Sequence, residues 1–312
     1  MHCNGRLLEK ETMQLLEQSG QGKVLGVYRH CFNMRLEDSL VTIFPEGSDC
    51  IPGGIYTDHP PSTDFRSLSL ATGQHVFTRD QYIWIPEADY TCCVVDAAAT
   101  VNMARSPIVW DGSFAALEDT VEHLSIMVNE RNSLSLPPIG QWLDEQSQPE
   151  CEILGKLFFS NLKELLEALS RQDKDTAFQQ FHKLVGRGIG LTPSADDILC
   201  GMISWFYLAD PVNRVGLSLR DYLWQYLREE GFARTTFVSG FFLQMACGGV
   251  ISDSTYLLVK GMLHREWDIS ANAHRLLRHG STSGSEICFG IITGWWMSKN
   301  ALSQENQSRG EV

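Results

Sequence analysis

Apolar positions follow two different rhythms along the chain. Between about residues 20 and 110, short runs rich in β-branched and aromatic residues alternate with turn residues. The runs "GKVLGVYRHCFNMRL", "SLVTIFPE", "HVFTRDQYIWI" and "YTCCVVDAAATVNM" show partial period-2 alternation, the signature of half-buried strands. Turn clusters such as "PEGSD", "IPGG" and "DHPPSTD" separate them. This pattern predicts a β-rich, barrel- or sandwich-like N-terminal domain over residues 1–135.

After the Pro-containing "SLPPIGQWLDEQSQPE" (135–150), read as a linker, the rhythm becomes helical. Leu154, Leu157, Phe158, Leu162, Leu165, Leu166 and Leu169 recur at i, i+3 and i+4. A second helix is predicted over 173–185, with Ala177, Phe178, Phe181, Leu184 and Val185 facing inward and Gly186 as its stop. Further helices are predicted near 196–209, 217–230, 235–248, 253–265, 269–278 and 285–298. The fold class is therefore α+β, with a mainly helical C-terminal domain over 151–300. The two most apolar stretches, 235–251 and 287–297, are short for a membrane span and read as buried helices.

Composition narrows this picture. The 312 residues, 43% of them hydrophobic, suffice for a large core or two. A formal net charge of -13, from 38 acidic against 25 basic residues, with no Lys/Arg cluster, argues against a nucleic-acid partner. The charged start lacks the apolar core of a signal peptide. Nine irregularly spaced cysteines without a C-x-x-C suggest reduced thiols and a cytoplasmic location.

The most unusual stretch is "GRGIGLTPSADDILCG" (186–201). Its glycines permit dihedrals that other residues avoid, and Ser194 with Asp197 fits the S-x-x-D of a capping box. A partner stretch follows, "GSTSGSEICFGIITG" (280–294). Aligned without gaps, Ser194 matches Ser283, Asp197 matches Glu286, Ile198 matches Ile287, Gly201 matches Gly290 and Ile203 matches Ile292. Two such helix starts suggest a pseudo-repeat whose loops meet across one cleft. Helix N-termini with free amides, fronted by Gly/Ser/Thr loops, would cradle a carboxylate or phosphate. Asp196 and Asp197 would repel that anion unless they cap amides, hold a bridging divalent ion such as Mg²⁺, or act as a general base.

A third stretch, "GFARTTFVSG", places Arg234, Thr235, Thr236 and Ser239 at a helix start, where Arg234 offers two parallel donors to a carboxylate. The plainer reading of all three stretches is a set of well-capped helices. His264, His274 and His279 lack ligand spacing, so no metal site is predicted. Neither a P-loop, a dinucleotide fingerprint nor a G-x-S-x-G elbow is present.

"GIGLTPSADDILCG" resembles the G-x-GLTPSGDD-x-x-x-G hallmark of the bacterial AllH family, with "TTFVS" and "STSGSE" similar to its downstream T-x-x-S and T-S-G motifs. Two positions depart from the pattern: Ala195 stands where glycine is usual, and Glu286 where aspartate is. AllH is one of three subunits assigned to oxamate carbamoyltransferase in anaerobic allantoin breakdown. The resemblance implies carbamoyl transfer between oxalurate and phosphate, within a complex of metabolic enzyme subunits that takes a small anionic metabolite. It implies anion contact by Gly188, Gly190 and Thr192, with Ser194 as cap or donor and Thr282, Ser283 and Gly284 as the facing wall. Arg234, Thr235, Thr236, Ser239 and Glu286 complete the ligand-binding set, and Asp196 and Asp197 would orient groups or assist proton transfer. The competing expectations are a non-catalytic anion-binding subunit and a scaffold.

Overall fold

The computed structural model describes all residues except Ser19, 95–98, 132–152, 266–268 and 311–312; the expected linker at 135–150 lies outside the described residues. The chain forms two compact units, Met1–Ala104 and Arg105–Val312. The division falls before the expected residue 135. Helix α2 (Glu118–Arg131), absent from the sequence reading, packs with the later helices, burying Val121, Leu124 and Val128 in their core.

The first unit is a β-barrel. Its strands are β1 (His2–Glu9), β2 (Gly20–Val27), β3 (Phe32–Leu36), β4 (Ser39–Phe44), β5 (Gly54–Thr57), β6 (His75–Arg79), β7 (Tyr82–Ile85) and β8 (Tyr90–Cys93), with α1 (Lys10–Leu16) following β1. They run in the order β5-β4-β3-β2-β6-β7-β8-β1, and β1 closes the ring on β5. Closure removes the exposed edges that an open sheet would present. A short β9 (Ala99–Val101) continues beside the C-terminal end of β1.

β1 was not legible as a strand because its outward positions carry His2, Asn4 and Arg6, whereas Cys3 and Leu8 point inward. Phe32 packs edge-on to Tyr90 at 5.3 Å and tilted to Phe65 at 5.6 Å in the barrel interior. Cys3 lies there too. Hydrogen bonding from Cys92, and then from His59 and Tyr90, draws its thiol down to about 6 against the opposing effect of burial.

The second unit is helical, with α3 (Ile153–Ser170), α4 (Lys174–Leu184), α5 (Ser194–Ala209), α6 (Arg214–Glu229), α7 (Phe237–Cys247), α8 (Asp253–Leu263), α9 (Ser270–Leu277) and α10 (Ser283–Gly310). α5 is its centre. Only Ser194, Cys200 and Tyr207 of its 16 residues escape full burial, as expected of a helix apolar all round. It packs against α6, α7, α8 and, most extensively, α10. No helix among the described residues is long and apolar enough to cross a membrane.

Candidate functional site

The glycine loop is fixed by its neighbours. Gly186, Gly188 and Gly190 have φ of 78°, 133° and 110°, all in the region that favours glycine. At Gly186 the requirement is double, because a Cβ there would also run into the Arg234 carbonyl. The Asp196 carboxylate, wholly buried, pins this loop: it accepts from the Gly186 amide at 2.9 Å, the Ser239 hydroxyl at 2.7 Å and the Thr235 hydroxyl. Thr236 caps α7 by accepting from the Ser239 amide at 3.0 Å and donates to the Leu191 carbonyl at 2.5 Å. Arg234 is exposed and donates through Nη2 to the His182 carbonyl at 2.7 Å. The third motif thus grips the loop from behind.

The expected capping box does not form. Pro193 holds the cap position of α5 without a side-chain hydrogen bond, and Ser194 is already the first helical residue. The Ala195 amide donates to the Arg187 carbonyl at 3.0 Å, and those of Asp196 and Asp197 donate to Pro193 at 2.9 and 3.2 Å. α10 repeats the arrangement. Gly284 donates to the His279 carbonyl at 3.1 Å, and Ser285 and Glu286 donate to Thr282 at 2.9 and 3.1 Å. Carbonyls therefore already accept from three of the first-turn amides at each helix start.

The two helix starts meet as the repeat suggests. α5 and α10 cross backbone to backbone at Gly201 and Gly290: a Cβ on either would stand 3.0 Å from the other's Cα and run into a carbonyl, Ile287 in one case and Ile198 in the other. Near the crossing, Ser204 donates to the Cys200 carbonyl at 2.8 Å and its counterpart Thr293 to Phe289 at 2.9 Å. Above it, Thr192 and Ser283 share a hydroxyl–hydroxyl hydrogen bond of 2.8 Å across 91 positions of sequence.

Beneath these hydroxyls lie two buried carboxyl groups, Asp197 and Glu286. Asp197 Oδ2 and both Glu286 oxygens have no hydrogen bond of standard geometry, although the Ser194 and Thr282 hydroxyls lie close enough to Glu286 to act on its charge. Burial first, and then the Glu286 charge, push Asp197 well above the usual carboxylate range, while Ser283 and Thr192 oppose the rise. Burial also raises Glu286, opposed by hydroxyls from Ser194 and Thr282 and by Asp197. Burial and the repulsion between the two groups thus both favour the protonated form. Burial raises Asp196 as well, but its three donors counter that.

The sequence-predicted residues thus fall into three groups. Thr192, Ser194, Thr282 and Ser283 are half-buried around the Asp197–Glu286 pair. Asp196, Thr235, Thr236 and Ser239 form the loop's support, with Arg234 turned away to His182. Gly188 and Gly190 are exposed in the loop, and Gly284 is buried against the Leu276 carbonyl. The residue that sequence reasoning undervalued is Gly186, read as a helix stop and a loop glycine but not as a partner of Asp196. Its signal was the aspartate ten positions on, whose partner the sequence did not reveal.

Comparison with curated proteins and with solved structures found no match. Two family models match: residues 184–295 match the model described as oxamate carbamoyltransferase subunit AllH, and residues 4–100 the AllH family N-terminal domain. The two matches take in most of the barrel and the whole of the paired helix starts, and on them the chain belongs to the AllH family.

Proposed function

We propose that this chain is the subunit of an oxamate carbamoyltransferase-type complex that supplies an acid–base pair to carbamoyl transfer, working with other subunits on a small anionic metabolite. The observation that carries this reading is the buried Asp197–Glu286 pair roofed by Thr192 and Ser283. In phosphorolysis of oxalurate, a phosphate oxygen attacks the carbamoyl carbon and the bond from that carbon to the oxamate nitrogen breaks. The leaving nitrogen must gain a proton. A carboxylic acid kept neutral near pH 7 is suited to give one, and general acid catalysis of this kind contributes roughly 10²–10⁴-fold.

The hydroxyls of Thr192, Ser194, Thr282 and Ser283 would then serve as donors to the substrate's oxygens. Asp196 is the loop's anchor in this reading, not an acid. A bound Mg²⁺ would require the pair ionised and room for the ion's water shell, and burial of both carboxyl groups favours the protonated state instead.

A second reading, a non-catalytic scaffolding subunit, draws support from the first-turn amides, three of which at each helix start already donate to carbonyls. One experiment separates the two. The complex would be assembled from co-purified subunits and assayed for carbamoyl phosphate from oxalurate with wild-type, Asp197→Asn or Glu286→Gln chain. The catalytic reading expects both variants to assemble while activity falls by two orders of magnitude or more. Wild-type activity in both would overturn it. A thermal-shift screen of the isolated chain with phosphate, carbamoyl phosphate, oxamate and oxalurate adds the binding result, since a ligand at 100 times its Kd stabilises by about 2.7 kcal/mol.

A further inference from the structure

A second cluster of reactive side chains lies in the barrel, and neither the carbamoyl chemistry nor the motifs above make use of it. Cys3 on β1 points inward beside Cys92, its register partner on β8, and its sulfur is 3.1 Å from the Tyr90 hydroxyl. β5 lies on the other side of β1 and runs directly into Asp58 and His59. The Cys3 sulfur, a carboxylate oxygen of Asp58 and a ring nitrogen of His59 all lie within 4.8 Å of one another. Cys3 and His59 are buried, whereas the Asp58 side chain is 30% exposed, which gives the cluster an opening to solvent.

The surrounding hydrogen bonds arrange these groups as ligands. Thr57 donates its only hydroxyl proton to the Phe44 carbonyl at 2.8 Å. At 2.9 Å from His59 Nδ1 that hydroxyl can then only accept, so the proton sits on Nδ1 and the lone pair on Nε2. A partner on the far ring nitrogen that fixes tautomer and orientation is the usual support of a metal-binding histidine. Asp58 is held similarly. Its Oδ1 accepts from the Asn4 amide at 2.9 Å and its Oδ2 from the Asn4 side chain at 2.8 Å, and each oxygen keeps a further lone pair. Tyr90 lies parallel to the His59 ring, with centroids 6.0 Å apart, and Phe65 packs against that ring at 5.2 Å.

We propose that Cys3, Asp58 and His59 form a binding site for a borderline-soft divalent cation of the Zn²⁺ class, with a water or Cys92 as the fourth ligand. Thiolate, imidazole and carboxylate together select this class over hard Mg²⁺ or Ca²⁺. With water as the fourth ligand, one thiolate and one carboxylate balance a 2+ ion, and the exposed Arg6 guanidinium stands 3.8 Å from Asp58 Oδ2.

The test uses the full chain, stripped with a chelator under reducing conditions and titrated with Co²⁺ followed by Zn²⁺. A thiolate-to-cobalt charge-transfer band saturating at one equivalent, and displaced by Zn²⁺, is expected. Cys3→Ser and His59→Gln should abolish the band, while Cys31→Ser should leave it unchanged. Thr57→Val should weaken Zn²⁺ binding by about 10–100-fold through the lost orientation of His59. Asp58→Asn, at a partly exposed position, should also weaken it; circular dichroism confirms that each variant is folded. Absence of the band in folded wild type, or its persistence in folded Cys3→Ser, overturns the proposal. So does recovery of a Cys3–Cys92 disulfide from chain alkylated at lysis if the reduced chain takes up no metal, which would make the pair a redox couple.

Discussion

Gly201 and Gly290 touch across the α5–α10 crossing, each Cα in the space where the other's side chain would begin. The contact sets how closely the two helices approach, and with that how near Asp197 comes to Glu286 one turn earlier. Gly201→Ala and Gly290→Ala should each destabilise the helical unit by about 1–3 kcal/mol, the usual result of forcing atoms into a packed interior. Urea unfolding followed by tryptophan fluorescence would measure this, and an unchanged midpoint for both would show that the helices can part freely.

The pH dependence of stability should carry the mark of the acid pair. Both carboxyl groups have folded-state pKa values raised above their unfolded ones. The folded chain therefore binds more protons, and their contribution to stability is full at acidic pH and lost as pH rises from about 4 through the folded values. Asp197→Asn removes one titrating group, so the variant should lose less stability than wild type between pH 5 and 8. Parallel curves for the two proteins in thermal unfolding would contradict the assignment.

Asp196 should behave differently from its neighbour. Truncating it to alanine leaves the Gly186 amide and two hydroxyls without their acceptor, and each unsatisfied donor costs about 1–3 kcal/mol. Asp196→Ala should therefore melt early and become sensitive to proteolysis within 186–193, whereas Asp197→Asn should resist protease as wild type does. Equal sensitivity of the two would remove the distinction between anchor and acid.

The helical unit has a second polar anchor. Arg105 pairs with Asp253, donates to the Ile251 carbonyl at 3.2 Å and lies 4.7 Å from the Tyr256 ring centroid. Its side chain is 15% exposed, so the pair is shielded from most screening. Arg105→Met should destabilise the unit by about 2–4 kcal/mol, because Asp253 is left with a shielded, unpaired charge. A double-mutant cycle with Asp253→Asn checks the coupling, and additivity would show that the pair does not interact.

Where sequence and structure agree, the chemistry is local. The period of Leu162, Leu165, Leu166 and Leu169 defines one buried face, and Gly186 ends its helix with a positive φ, both readable from neighbours in sequence. The strands of the first half were visible where aromatic and β-branched residues cluster, but β1 was not, since its identity depends on pairing with β5, β8 and β9. The repeated helix start was visible because the same residue types recur. That Pro193 rather than Ser194 takes the cap, and that Asp196 reaches Gly186, Thr235 and Ser239, depends on contacts no spacing rule encodes. The grouping of Cys3 with Asp58 and His59 is of the same kind.

The separation of Thr192 from Ser283 also bears on how the molecule is made. The two halves of the acid pair belong to helix starts whose Thr192–Ser283 contact spans 91 positions, and a contact of such range needs a long loop to close. Until α10 docks, Asp197 meets water and ionises like any surface aspartate. Packing of α10 onto α5 buries both carboxyl groups and raises their affinity for protons, so that this step of assembly is linked to proton binding.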